Sequence, residues 1–145
     1  MCKILAIDPG MSKCGVIFVD INDKKVYEAF VIKSCHLLDY VKKKFEKYKN
    51  IQCLLGNGTS SKIYVEALRE LVPKLIITEE KNSTYRAKQR YFDIFPLKGF
   101  KKIIPREIFL LNKNLDALAA LIILEDFYKL KFDINDKIET KTWLK

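Results

Sequence analysis

The apolar positions of this chain fall into short runs and helical stripes that alternate along most of its length. Lys3 to Ile7 is an apolar run stopped by Asp8-Pro9-Gly10, the pattern of a buried strand that ends in a turn. Gly15 to Ile21 and Val26 to Ile32 flank Asn22-Asp23-Lys24-Lys25, which predicts a hairpin and hence three antiparallel strands in a row. From His36 to Lys49, Leu37, Leu38, Val41, Phe45 and Tyr48 recur at helical spacing while lysines fill the other faces. Ile51 to Leu55 predicts another strand, closed by Gly56-Asn57-Gly58-Thr59-Ser60, with Ser60 or Thr59 capping the helix that follows. That helix carries Tyr64, Ala67, Leu68, Leu71 and Val72 on one face, and Pro73 ends it. Leu75 to Ile77 predicts a fifth strand running into Thr78-Glu79-Glu80. Tyr85 to Phe92 reads as a basic helix and Pro96 to Pro105 as a loop. Leu115 to Leu130, opened near Asn114, is so apolar that much of its surface must be buried.

This order predicts an α/β fold. Its sheet has five strands, the first three antiparallel and the later ones parallel, with helices on both faces. Residues 1–130 are expected to form one domain and 131–145 a polar tail. A chain of 145 residues can bury a core without disulfide or metal staples. Cys2, Cys14, Cys35 and Cys53 contain no CxxC pair, which argues against a zinc knuckle and predicts reduced, buried thiols. The apolar runs are too short to span a bilayer, so a soluble, cytoplasmic protein without a membrane partner is expected. Lys and Arg number 27 against 18 acidic residues, a formal charge of +9. A polyanionic partner explains that excess, and a lysine-rich surface that aids solubility is the competing account.

Three acidic positions interrupt otherwise apolar segments: Asp8 after the first strand, Glu79 or Glu80 after the fifth, and Asp116 at the start of the last helix. Each has an ordinary explanation by itself: a turn former, a solvated loop pair, and a first-turn acid favoured by the helix dipole. Together they point elsewhere. If the first and fifth strands run parallel, Asp8 and Glu79/Glu80 share the carboxyl edge of the sheet, where α/β proteins bind ligands. Converging carboxylates with no Lys or Arg between them suggest a hard cation, Mg²⁺ or Mn²⁺. Two such ions about 3.5–4 Å apart support phosphodiester hydrolysis.

The same residues carry a family resemblance. Ile7-Asp8-Pro9-Gly10-Met11-Ser12-Lys13-Cys14-Gly15-Val16 resembles the Asp-x-Gly-x-x-(Arg/Lys)-x-Gly strand and turn of RuvC-like resolvases, in particular the YqgF family of Holliday-junction resolvases and pre-ribosomal RNA nucleases. Gly56-Asn57-Gly58-Thr59 is similar to a segment of the related domain in the Tex transcription factor. Glu79-Glu80-Lys81-Asn82-Ser83-Thr84 resembles the acidic segment of YqgF, and Asp116-x-x-Ala119-Ala120 its final helix. The resemblance implies a ribonuclease H-like fold with Asp8, one of Glu79/Glu80, and Asp116 as catalytic, metal-holding acids. Counting from Ala87 selects Glu80, and counting from Ser83 in the Tex register selects Glu79. Lys113 stands where RuvC resolvases carry a second acid.

The expected activity is that of a two-metal endonuclease on branched DNA or structured RNA. The alternative is a non-catalytic nucleic-acid-binding module of the same fold. A homodimer is compatible with the first, because a four-way junction has paired scissile strands. Backbone amides around Asn57 and Thr59 suit a phosphate. Lys13, Lys81, Arg86, Lys88, Arg90, Lys101 and Lys102 complete the expected nucleic-acid contacts, interleaved with aromatics that suit stacking or simply belong to the core.

Overall fold

The computed structural model describes residues 2–80, 82–110, 115–132 and 134. Three strands, β1 (Lys3–Asp8), β2 (Lys13–Asp20) and β3 (Lys25–Lys33), lead into helix α1 (Ser34–Lys47). Then come β4 (Ile51–Gly56), α2 (Ser61–Leu71), β5 (Leu75–Thr78) and α3 (Ser83–Ile94). A 3-10 turn at Gly99–Lys102, a short α4 (Arg106–Leu110) and α5 (Asp116–Tyr128) follow. The sheet order is β3-β2-β1-β4-β5. β1 is antiparallel to β2 and β2 to β3, whereas β4 runs parallel to both β1 and β5. The carboxyl ends of β1, β4 and β5 therefore line one edge, as the strand pattern predicts.

Side chains alternate between the sheet's two faces, and each face has its own core. Ile4, Ala6, Ile17, Val19 and Leu54 pack with α5 and α3, while Leu5, Ile7, Val16, Phe18, Cys53 and Leu55 pack with α1 and α2. α5 is buried without a break from Ala117 to Glu125. Each fully buried aliphatic among these, Leu121 for example, contributes about 1.5–3 kcal/mol, and Leu121→Ala should cost about 2–5 kcal/mol once the cavity is included.

Several expectations require correction. Only Cys14 and Cys53 are buried, while Cys2 and Cys35 are exposed at the ends of β1 and α1, where the apolar runs meet solvent; all four are free thiols. Ser60 stands at the N-cap of α2 with helical backbone angles and makes no side-chain cap bond, so the expected capping is absent. Instead the Ser61 hydroxyl donates to Asn57 Oδ1 at 3.4 Å. The loop before Pro105 contains the 3-10 turn, and α4 after it has five residues, too short for its periodicity to show in the sequence. Past the expected boundary at residue 130, Phe132 is buried against α5 and Ile134 packs beside the same core. Asn114, the expected opening of the last helix, and Lys113 lie outside the described residues, as does most of the expected tail. No helix among the described residues is long and apolar enough to cross a membrane.

Candidate active site

Strand alternation places the acids. Ile4 and Ala6 face α5, so Asp8, the next even residue of β1, faces the same way at the carboxyl edge. On β4 the residues of that parity are Leu54 and Gly56, and on β5 they are Ile76 and Thr78. Continuing two residues beyond Thr78 gives Glu80. Glu79 is exposed, whereas Glu80 is partly buried.

The Glu80 carboxylate crosses the end of β4, and two glycines make room for it. A Cβ at Gly56 would lie 2.5 Å from Glu80 Oε2, and one at Gly58 would overlap Oε1. Beyond this gap Glu80 meets Asp8 and shares a hydrogen bond with it. The Asp8 pKa is pushed up to about 8, chiefly by burial, then by the hydrogen bond to Glu80 and the charges of Glu80 and Asp116. At neutral pH, Asp8 is thus largely protonated and donates to Glu80, one proton relieving the repulsion between two carboxyls.

Asp116 reaches the cluster because of a third glycine. Gly15 is the cross-strand partner of Asp8. A Cβ on Gly15 would overlap the backbone carbonyl of Asp116 and crowd Ala117 N. The N-terminus of α5 consequently lies directly on β2, beside Asp8. One difference from the sequence reading is electrostatic: Lys13 Nζ stands 3.5 Å from Asp116 Oδ2, so a cation is woven into the acidic group after all. On the other face, the Gly10 carbonyl accepts the Tyr64 hydroxyl at 2.6 Å and the Ser34 hydroxyl at 3.2 Å, which anchors the turn after Asp8.

A divalent ion fits Asp8 and Glu80 chemically. The donors are all carboxylate oxygens, suited to Mg²⁺ or Mn²⁺. Glu80 Oε2 is buried and accepts no hydrogen bond. Among the described residues no group of three or more His, Cys, Asp or Glu side chains forms a ready cage.

The predicted nucleic-acid contacts separate into two groups. Asn57 and Thr59 are exposed beside Glu80, and Lys88, Lys101 and Lys102 are exposed on α3 and the 3-10 turn. Arg86 and Arg90 are instead paired with acids of α5. Arg86 forms a two-pronged pair with Asp126, one prong at 2.7 Å. Arg90 donates to Glu125 at 2.8 Å and to the Phe132 carbonyl at 2.9 Å, while Phe132 N donates to the same Glu125 oxygen. Both therefore carry ion pairs between α3 and α5. Lys81 lies outside the described residues. Sequence reasoning did not single out Gly15, Gly56 and Gly58 as clearances, nor Gln89 and Phe92, which with Tyr85 and Lys88 line a groove next to Asp116.

The fold is an α/β ribonuclease H-like fold of the RuvC type. Two solved structures carry this assignment. "Thermus thermophilus RuvC structure" superposes with a TM-score of 0.53 at 14% identity over 88% of this chain and 94% of that one. "T. thermophilus RuvC in complex with Holliday junction substrate" gives 0.51 at 14% identity over 89% and 95%. No family model and no curated protein sequence matches the chain.

Proposed function

We propose that the chain is a divalent-cation-dependent endonuclease acting on branched DNA or structured RNA. The observation that carries this reading is the proton-sharing pair Asp8–Glu80, set beside Asp116 at the carboxyl edge of a RuvC-type sheet. Asp8, Glu80 and Asp116 would hold Mg²⁺ or Mn²⁺. When bound, such ions supply the positive charge that activates a water and stabilises the departing oxygen of a phosphodiester. Asp8 must give up its proton to serve as a ligand, and Asp116 must turn from Lys13. Lys13 would then meet the phosphate that enters, with Asn57 and Thr59, exposed after β4, as further contacts. The choice of Glu80 favours the YqgF register over that of Tex. The net charge of +9 supports a polyanionic substrate.

One observation favours the rival reading, a binding module that cuts nothing: Lys13 already partners Asp116. The two are separated by incubating the protein with Mn²⁺ and either a labelled four-way junction or a folded precursor RNA. The nuclease reading expects nicking by the wild type and, for Asp8→Asn, a loss of about a thousandfold with binding retained. Binding without cleavage across both substrates and both metals would leave the module.

A further inference from the structure

Helix α3 has two faces with different tasks. Arg86 and Arg90, four residues apart, are tied to Asp126 and Glu125 of α5. Tyr85, Lys88, Gln89 and Phe92 follow the i, i+3, i+4, i+7 spacing and, with Arg106 of α4, line a groove of about 610 Å³. The groove opens at Lys13 and Asp116, so it is continuous with the acidic site. Its chemistry is mixed. Tyr85 is 64% exposed, an unusual state for so large a ring. Phe92 is partly covered by the Arg106 guanidinium, 5.2 Å from its ring centre. Lys13, Lys88 and Arg106 supply positive charge to the groove against the carboxylates of Glu107 and Asp116, and Gln89 adds an amide that both donates and accepts.

Resting on the nuclease reading, we infer that this groove takes an unpaired nucleotide adjoining the scissile phosphate, so that the favoured substrate carries a single-stranded nucleotide there. An aromatic ring beside lysines binds a base by stacking and its phosphates by charge. The volume is that of a small-ligand site. An exposed ring such as Tyr85 stacks on a base whose face is free, which an unpaired nucleotide offers and a base pair stacked within a duplex does not. The three cations outnumber the two acids and suit a phosphate, and the apolar side chains of Phe92, Leu110 and Leu115 suit a base beside it.

The full-length protein in EDTA, where no cutting occurs, is titrated with a 12-nucleotide single strand carrying 2-aminopurine and with the blunt duplex of the same sequence, each made as DNA and as RNA. The expected result is single-strand binding at least about tenfold tighter than duplex binding, with quenching of 2-aminopurine. Tyr85→Ala should weaken single-strand affinity about tenfold and remove the quenching. Lys88→Ala should weaken it severalfold and lower the salt slope by about one ion. Lys43→Ala, at an exposed position of α1, should change nothing. A preference for one sugar supports the inference as well as indifference to it. Equal binding of single strand and duplex, or full single-strand affinity in both Tyr85→Ala and Lys88→Ala, overturns it. Failure of the groove is distinguishable from failure of the nuclease reading. Loss of the single-strand preference with Mn²⁺-dependent cutting intact sinks only the groove. Single-strand binding that depends on Tyr85, without cutting, keeps the groove and sinks hydrolysis.

Discussion

Gly15 and Asp116 meet backbone to backbone: the α5 carbonyl at Asp116 occupies the space a side chain at position 15 would need. Because Gly15 also stands opposite Asp8, this contact sets the separation of two acids far apart in the chain. Gly15→Ala should therefore push α5 off the sheet. The expected cost is about 1–3 kcal/mol, as for other overpacked sites, read by urea denaturation. The Mn²⁺-induced rise in melting temperature should shrink with it. A variant with full metal response would show that Asp116 does not depend on this contact.

Glu80 depends on glycines in the same way. Gly58→Ala should displace its carboxylate from Asp8, since a methyl there would overlap Oε1. The Asp8 pKa, followed by carboxyl-carbon NMR, should fall from about 8 as its hydrogen-bond partner and one neighbouring charge withdraw. An unchanged titration would mean that Glu80 reaches Asp8 by another route.

Stability should fall as pH rises through the acidic and neutral range when no divalent ion is present. Unfolded Asp8 ionises near its ordinary 3.8, whereas the folded residue keeps its proton up to about 8. Between those values the native state holds the extra proton, so each step upward in pH favours unfolding, by a few kcal/mol in all. Asp8→Asn should remove this slope, and its stability advantage over the wild type should grow from pH 4 to pH 8. Denaturant midpoints across that range, in EDTA, test this. Parallel profiles for the two proteins would contradict it.

Arg90 and Lys88 should behave oppositely. Arg90→Ala leaves Glu125 buried without its cation and frees the Phe132 carbonyl, with an expected loss of about 3–5 kcal/mol in stability. Lys88 is exposed, and its removal should cost little stability while weakening nucleic-acid binding. Urea denaturation beside filter binding separates the two effects.

The strand order was legible because each strand is a short apolar run bounded by turn residues, and the final helix because nothing polar interrupts it between Ala117 and Leu124. Asp8 and Asp116 stood out for the same reason. Strand parity already favours Glu80 over Glu79, since 76, 78 and 80 share a face, but alternation holds only within a strand and β5 ends at Thr78. The Lys13–Asp116 pair could not be read, because it forms only when α5 docks on Gly15. Arg86 and Arg90 looked like part of one basic helix. Their four-residue spacing and the acids at 125 and 126 hold the signal that they belong to a helix–helix contact, but recognising it required knowing that α3 packs on α5.

Whether Asp8, Glu80 and Asp116 form one cation-dependent hydrolytic site is tested most directly by single-turnover nicking of a labelled junction in Mn²⁺ by the wild type, Glu79→Gln and Glu80→Gln. The wild type and Glu79→Gln should cut at similar rates, and Glu80→Gln should be slower by about two orders of magnitude or more. Cutting that survives in Glu80→Gln and is lost in Glu79→Gln would contradict it.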